Sequence, residues 1–191
     1  MLDRKVFYDN LKPSLFPKLT TSQVAGIEAI LNEWDASGLT DLRWLAYMLG
    51  TTKHETAGTM QPIEEYGKGK GKPYGKPHFV TGKIYYGRGF VQLTWYDNYK
   101  KMGALLGVDL VNKPELALDI KIATRIMFEG MTTGKSFAGD FTGKHLGNYF
   151  NKTTDDWFNA RRMINCLDKA QLIAGYSVKF YKALQLSFSC Q

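Results

Sequence analysis

Glu55 and the pair Glu64-Glu65 are the residues of this 191-residue chain best spaced for acid–base chemistry. Glu55 falls where a helix with an apolar face runs out, in Lys53-His54-Glu55-Thr56-Ala57-Gly58. A carboxyl there loses water on its apolar side, and desolvation disfavours its charged form. That is the condition under which a carboxylic acid donates a proton at neutral pH. The plainer reading is an ordinary surface glutamate at a helix end. Glu64 and Glu65 follow in the loop beyond. A helix end and its following loop can hold two carboxylates ~6.5–9.5 Å apart, so that one protonates a leaving oxygen while the other activates a water. Two solvated loop acids, paired with the lysines that follow, would explain the same positions. His54-Glu55 also begins like a zinc-binding helix. However, the second histidine of H-E-x-x-H would stand at 58, which is Gly58. His54, His78 and His145 are the whole histidine supply, so neither a metal nor another cofactor is expected.

The segment from Tyr85 to Tyr99 is the most distinctive in the chain: Tyr85-Tyr86-Gly87-Arg88-Gly89-Phe90-Val91-Gln92-Leu93-Thr94-Trp95-Tyr96-Asp97-Asn98-Tyr99. Glycines on both sides of Arg88 imply a tight turn. Gln92 and Thr94 are two apart and would share one face of a strand, with Asn98 joining them from the next turn. Amide and hydroxyl groups beside aromatic rings suit a sugar, the rings covering its faces and the polar groups its hydroxyls and acetamides. A hairpin whose polar face is merely wet is the alternative. Asn165, after Trp157, Ala160, Arg161 and Ile164, reads by itself as a helix C-cap. The run Gly67-Lys68-Gly69-Lys70-Gly71-Lys72-Pro73-Tyr74-Gly75-Lys76-Pro77 lacks the Ser or Thr of a phosphate loop after its Gly-Lys. It reads as an exposed, flexible loop or a basic lip gripping an anionic polymer.

These groups need elements to hold them. A short helix is expected from Asp3 to Phe16, stopped by Pro13 and Pro17. A second begins at Thr21-Ser22-Gln23, carries Val24, Ile27, Ile30, Leu31 and Trp34 at helical spacing, and ends at Gly38. A third starts at Thr40 and runs through Leu42, Leu45, Ala46 and Leu49 to Glu55, with Gly58 as its stop. Residues 84–95 suit a short hairpin. Further helices are expected at about 96–106, 115–130, 154–165 and 168–187. With no repeat and no linker, residues 1–191 read as one domain, mainly α with a small β element. A chain of this length buries roughly 70% of its unfolded surface, so no staple is required. Cys166 and Cys190 form no metal spacing and are expected as free thiols. The start Met1-Leu2-Asp3-Arg4-Lys5-Val6-Phe7 does not read as a signal peptide, and no run approaches the ~20 apolar residues of a membrane span.

Together these motifs resemble glycoside hydrolase family 19, the chitinase-like group that includes many bacteriophage endolysins. His54-Glu55-Thr56 resembles the family's catalytic helix segment. Tyr85 to Tyr99 resembles its Tyr-Tyr-Gly-Arg-Gly…Gln-Leu-Thr/Ser…Asn-Tyr signature, and Met163-Ile164-Asn165 a weaker third motif. The resemblance spans roughly residues 40–185. It implies a lysozyme-like, two-lobed helical fold with the hairpin lining the cleft, Glu55 as general acid, and a base that activates water for inversion. The relatives' arrangement at 64–65 points to Glu65 as that base, while counting nine residues from the acid points to Glu64; Glu65 is preferred. His54, Tyr86, Gln92, Thr94, Asn98 and Asn165 match substrate-binding positions, with Thr94 placed to help hold the water. Cys166 stands where the family usually has glycine, and the plant enzymes' disulfides and longer loops are missing, so a long chitin groove is not expected.

The formal net charge is +7, which attracts acidic polymers. Peptidoglycan carries carboxylates and chitin does not. The expected reading is therefore an endolysin-type glycosidase cleaving β-1,4 bonds of the peptidoglycan glycan. It would be made in the host cytoplasm without a signal peptide and act as a monomer on the periplasmic wall once the membrane is permeabilised. A chitinase and a catalytically inactive glycan-binding protein are the alternatives. Nucleic-acid binding rests on charge alone and ranks last.

Overall fold

The computed structural model describes residues 2–132 and 142–188. Its α-helices are α1 (Arg4–Leu11), α2 (Thr21–Ser37), α3 (Leu42–Glu55), α4 (Tyr96–Leu106), α5 (Ile120–Thr132) and α6 (Ala170–Phe188), and its two strands are β1 (Ile63–Glu64) and β2 (Arg88–Gly89). The fold is thus mainly helical with one small sheet, as the sequence predicts.

Caps set the helix starts. The Thr20 hydroxyl accepts from the amide of Gln23, whose side chain answers at the Thr20 amide, a capping box one residue ahead of the expected start. Asp41 caps α3 through the amide of Arg43. α2 ends at Gly38 in the left-handed conformation. α3 ends at Glu55, and the amide of Gly58 returns to Lys53 O at 2.8 Å. This fixes the last turn, so the direction of the Glu55 side chain is set by the helix end.

α3 is the central element. Leu45, Ala46, Tyr47, Met48, Leu49, Gly50, Thr51 and Thr52 are all buried, so it is enclosed on more than one face. α6 packs along it more extensively than any other pair of elements meets. The approach is close at Gly50, where an added Cβ would sit 2.1 Å from Ser177 Oγ and 2.9 Å from Ser177 N. Gly50→Ala should therefore destabilise the fold by about 1–3 kcal/mol through overpacking. Helix propensity alone predicts the opposite sign, a gain of about 1 kcal/mol. Urea unfolding midpoints would separate the two, and a more stable Gly50→Ala protein would contradict this packing.

Several expectations change. The first helix stops at Leu11, before the turns leading to Pro17. Over 84–95 the expected hairpin is reduced to a single antiparallel bridge, Arg88 opposite Leu93. β2 instead pairs antiparallel with β1, Ile63 opposite Gly89 and Glu64 opposite Arg88. Gln92 (φ 54°) and Trp95 (φ 76°) have left-handed backbone, which no strand accommodates. The predicted 115–130 helix divides into a 3-10 turn over Pro114–Leu118 and α5. The predicted 154–165 helix is only a 3-10 segment, Asn159–Met163. The glycine–lysine run is a chain of successive turns ending in a 3-10 turn over Pro73–Gly75. Gly75 is required there, since an added Cβ would lie 1.8 Å from Gly69 O. Cys166 is an exposed free thiol, and Cys190 lies outside the described residues. Among the described residues, no helix is long and apolar enough to cross a membrane.

Candidate active site

A cavity of about 340 Å³ is lined by Glu55, Tyr74, Val91, Gln92, Thr94, Trp95, Asn98, Ile164 and Asn165. Five residues singled out in the sequence therefore meet in one place: Glu55, Gln92, Thr94, Asn98 and Asn165. They come from the end of α3, the turn after β2, the start of α4, and the chain after the Asn159–Met163 segment.

The amides and hydroxyl are braced so that part of each stays open. The Gln92 side-chain amide donates to Ile63 O (3.1 Å) and Gly89 O (3.2 Å), tying its left-handed turn to β1. The Thr94 hydroxyl donates to Gln92 O at 2.7 Å, leaving its oxygen free to accept. Asn98 donates to Thr94 O at 2.9 Å, leaving its carbonyl oxygen without a partner among these bonds. Asn165 is no helix cap; its Oδ1 accepts from the Cys166 amide at 2.8 Å, which leaves its NH₂ for the cavity. The left-handed backbone at Trp95 is costly for so large a residue, and it places a half-exposed indole in the cavity wall.

Glu55 does not face an apolar wall alone, as the sequence suggests. Its Oε1 accepts from Arg161 Nη1 at 2.5 Å. The Arg161 side chain is 3% exposed and that of Glu55 14%. Arg161 Nε is fixed in turn on Asp168 O at 3.1 Å. Sequence reasoning missed Arg161 as part of the site, because it lies 106 residues from Glu55 in a stretch read as ordinary helix. Its one signal was a cation on that stretch's otherwise apolar face.

The two loop carboxylates are divided by the strand's alternation. Glu64 accepts from the Tyr86 hydroxyl at 2.5 Å, pairs with Lys68 Nζ at 2.8 Å, and lies 3.8 Å from Arg88 Nε. Lys68, Tyr86 and Arg88 hold its carboxyl below the usual range. Glu65 takes the Tyr74 hydroxyl on Oε1 at 3.1 Å and the Gly87 amide on Oε2 at 3.2 Å. Burial and Glu65 raise the Tyr74 phenol above its ordinary value, so it stays a donor. Glu65 is thus one hydrogen bond behind the cavity lining, through Tyr74, while Glu64 is engaged elsewhere. Because the Glu64 pKa is depressed in the folded chain, its contribution is present above the unfolded pKa and lost as pH falls through the folded one. Acidification below about 4.5 should cost the wild type more stability than Glu64→Gln, as read by thermal melts at pH 6 and pH 3. Equal losses would contradict the pairing.

His54 and Tyr86 are not among the cavity's lining residues. His54 is half-buried, and burial lowers its pKa, so it is neutral at pH 7. Tyr86 is buried beneath the Arg88 guanidinium, 3.6 Å from its ring centre. Lys53 turns away to lie over the Phe16 ring at 4.0 Å. Among the described residues, no group of three or more His, Cys, Asp or Glu could hold a metal.

The family model described as chitinase class I matches residues 31–138, more than half the chain. The chain belongs to glycoside hydrolase family 19. Endochitinase CH5B of Phaseolus vulgaris is 39% identical over 87 residues, covering 39% of this chain and 27% of that protein. Inactive chitinase-like protein 1 of Hevea brasiliensis is 54% identical over 37 residues, covering 19% of this chain and 12% of that protein. The crystal structure of chitinase C from Streptomyces griseus HUT6037 superposes with a TM-score of 0.63 over 98% of this chain and 76% of that one, at 21% identity. That likeness is one of fold. The chain spans about a quarter of the length of the Phaseolus and similar family 19 relatives it matches. The family match takes in Glu55, Glu65, Gln92, Thr94 and Asn98, and stops short of Arg161 and Asn165.

Proposed function

We propose that this family 19 chain hydrolyses β-1,4 bonds between N-acetylated sugars, and that the peptidoglycan glycan is its substrate, as in an endolysin. One observation carries the hydrolytic reading: a carboxyl at the end of a rigid helix shares a cavity with four amide and hydroxyl side chains and two aromatic rings. Glu55, paired as a carboxylate with Arg161 in the free chain, is the general acid at the glycosidic oxygen once it has taken up a proton in the substrate complex. Glu65 is the base, acting through the Tyr74 hydroxyl that it accepts from on a water held near Thr94. Attack from the face opposite the leaving group inverts the anomeric centre. Gln92, Asn98 and Asn165 orient the acetamides and hydroxyls, and Trp95 covers a sugar face.

The charge of +7 supports the acidic polymer over chitin. The names of the plant and Streptomyces relatives favour a second reading, a chitinase, and the Hevea relative a third, a binding protein without turnover. Digesting purified peptidoglycan and colloidal chitin in parallel, with mass spectrometry and anomer analysis of the products, tests all three. Muropeptides released with an α-anomer are expected. Chitin oligomers alone would replace the endolysin reading, and binding without product would replace the enzyme. On the proposed substrate, Glu65→Gln should lower kcat by about 10²-fold or more and Glu64→Gln by only a few-fold; the reverse order would make Glu64 the base.

A further inference from the structure

A second cavity, of about 270 Å³, adjoins the first and is lined in part by Pro73, Tyr74, Pro77, His78, Phe79 and Trp95. We propose that it seats the lactyl-peptide branch of a muramyl sugar while the sugar itself lies beside Glu55. The proposal rests on the glycan-cleaving reading above and gives the substrate's acidic branch its own place.

Continuity comes first. Tyr74 and Trp95 line both cavities and meet edge to face with centroids 5.2 Å apart. A substituent on a ring bound in the first cavity reaches the second by crossing those two rings. The chemistry then changes. The first cavity is set with amides and a hydroxyl, whereas the second is walled by rings and prolines. His78 stacks on Tyr96 at 3.8 Å and 13°. Phe79 stands at the edge, 93% exposed, an apolar side chain with no part in the core. Methyl groups of a lactyl ether and of an alanine suit this wall, and sugar hydroxyls do not.

A polar feature matches the rest of such a branch. Lys76 lines the cavity. Among the described residues, no salt bridge engages Lys70, Lys72 or Lys76, whereas Lys68 is taken by Glu64. Lys76 is therefore available to a carboxylate. Chitin carries only a hydroxyl where the lactyl group begins, so it would leave the cavity empty.

Affinity, separated from turnover, tests the assignment. In a Glu55→Gln background, a tetrasaccharide bearing lactyl-peptide branches should bind about tenfold more tightly than chitotetraose by calorimetry. Adding Lys76→Glu and Phe79→Ser, both at exposed positions, should remove that preference while chitotetraose affinity moves less than twofold. Equal affinities in the background protein, no binding of either ligand, or a preference that survives both substitutions would overturn the assignment. Cleavage of peptidoglycan and chitin by the unmodified chain is measured alongside. Absence of cleavage with the preference intact would sink only the hydrolase reading, and cleavage without the preference only this cavity's role.

Discussion

Glu55→Gln should lower kcat by about 10²–10⁴-fold while substrate affinity stays within a few-fold of the wild type. General acid catalysis contributes that much, and the amide cannot donate the proton that the leaving oxygen needs. The binding groups are untouched by the change, because Gln92, Thr94 and Asn98 are held through backbone carbonyls and Asn165 by the Cys166 amide. The fold should also survive. A glutamine carbonyl at 55 still accepts from Arg161, whose Nε remains fixed on Asp168 O. Single-turnover rates and calorimetry on the same preparation read the two quantities separately. A variant with full lytic or chitinolytic rate would remove Glu55 from the mechanism. A variant that lost affinity and rate together would make it a binding residue instead.

Arg161→Met is expected to have the largest effect on stability, a loss of about 3–5 kcal/mol. The substitution leaves the Glu55 carboxylate, itself only 14% exposed in its side chain, without its cation. Burying an unpaired charge costs more than the pair gains. The Asp168 carbonyl also loses its donor. Combining Arg161→Met with Glu55→Gln removes the stranded charge, so the double variant should recover a large part of the loss. Urea denaturation of the four proteins in this cycle gives the coupling directly. Strict additivity, with no recovery, would mean that Glu55 and Arg161 do not act as a pair. Activity should fall too, since the carboxyl loses the contact that aims it into the cavity.

The elements most legible in the sequence were those with local signals. α2 carries a cap, a helical apolar stripe and a left-handed glycine at its end, and it begins at Thr21, where the sequence places its start. α3, α4 and α6 were found for similar reasons. The β element was misread because strand pairing is non-local. Residues 84–95 are β-branched and aromatic in part, but β2 takes its strand partner from residues 63–64, and the left-handed residues Gln92 and Trp95 limit the local pairing to the Arg88–Leu93 bridge. The stretch from 154 to 165 has one apolar face and no strong breaker, yet only a 3-10 turn forms there. Its backbone follows Asp156, whose carboxylate ties to Asn159.

The site was legible to the same extent. Glu55, Gln92, Thr94, Asn98 and Asn165 were named from motif and chemistry, and they converge on one cavity. Spacing could not choose between Glu64 and Glu65, whose environments depend on Lys68, Tyr74 and the Gly87 amide. Nor does a sequence announce an ion pair closed over a separation of 106 residues.

The close seam of α3 against α6, with no room for a methyl at Gly50, bears on how the two walls of the cleft keep time. Amides in the buried middle of α3 should exchange with solvent deuterium only through global unfolding. The β1–β2 ladder, two residues long, and the turns that follow it should open by local fluctuation far more often. On the proposed mechanism Glu55 is then the stationary jaw, and the movement that would admit a polymer belongs to the side that carries Glu65, Tyr74 and the lysines.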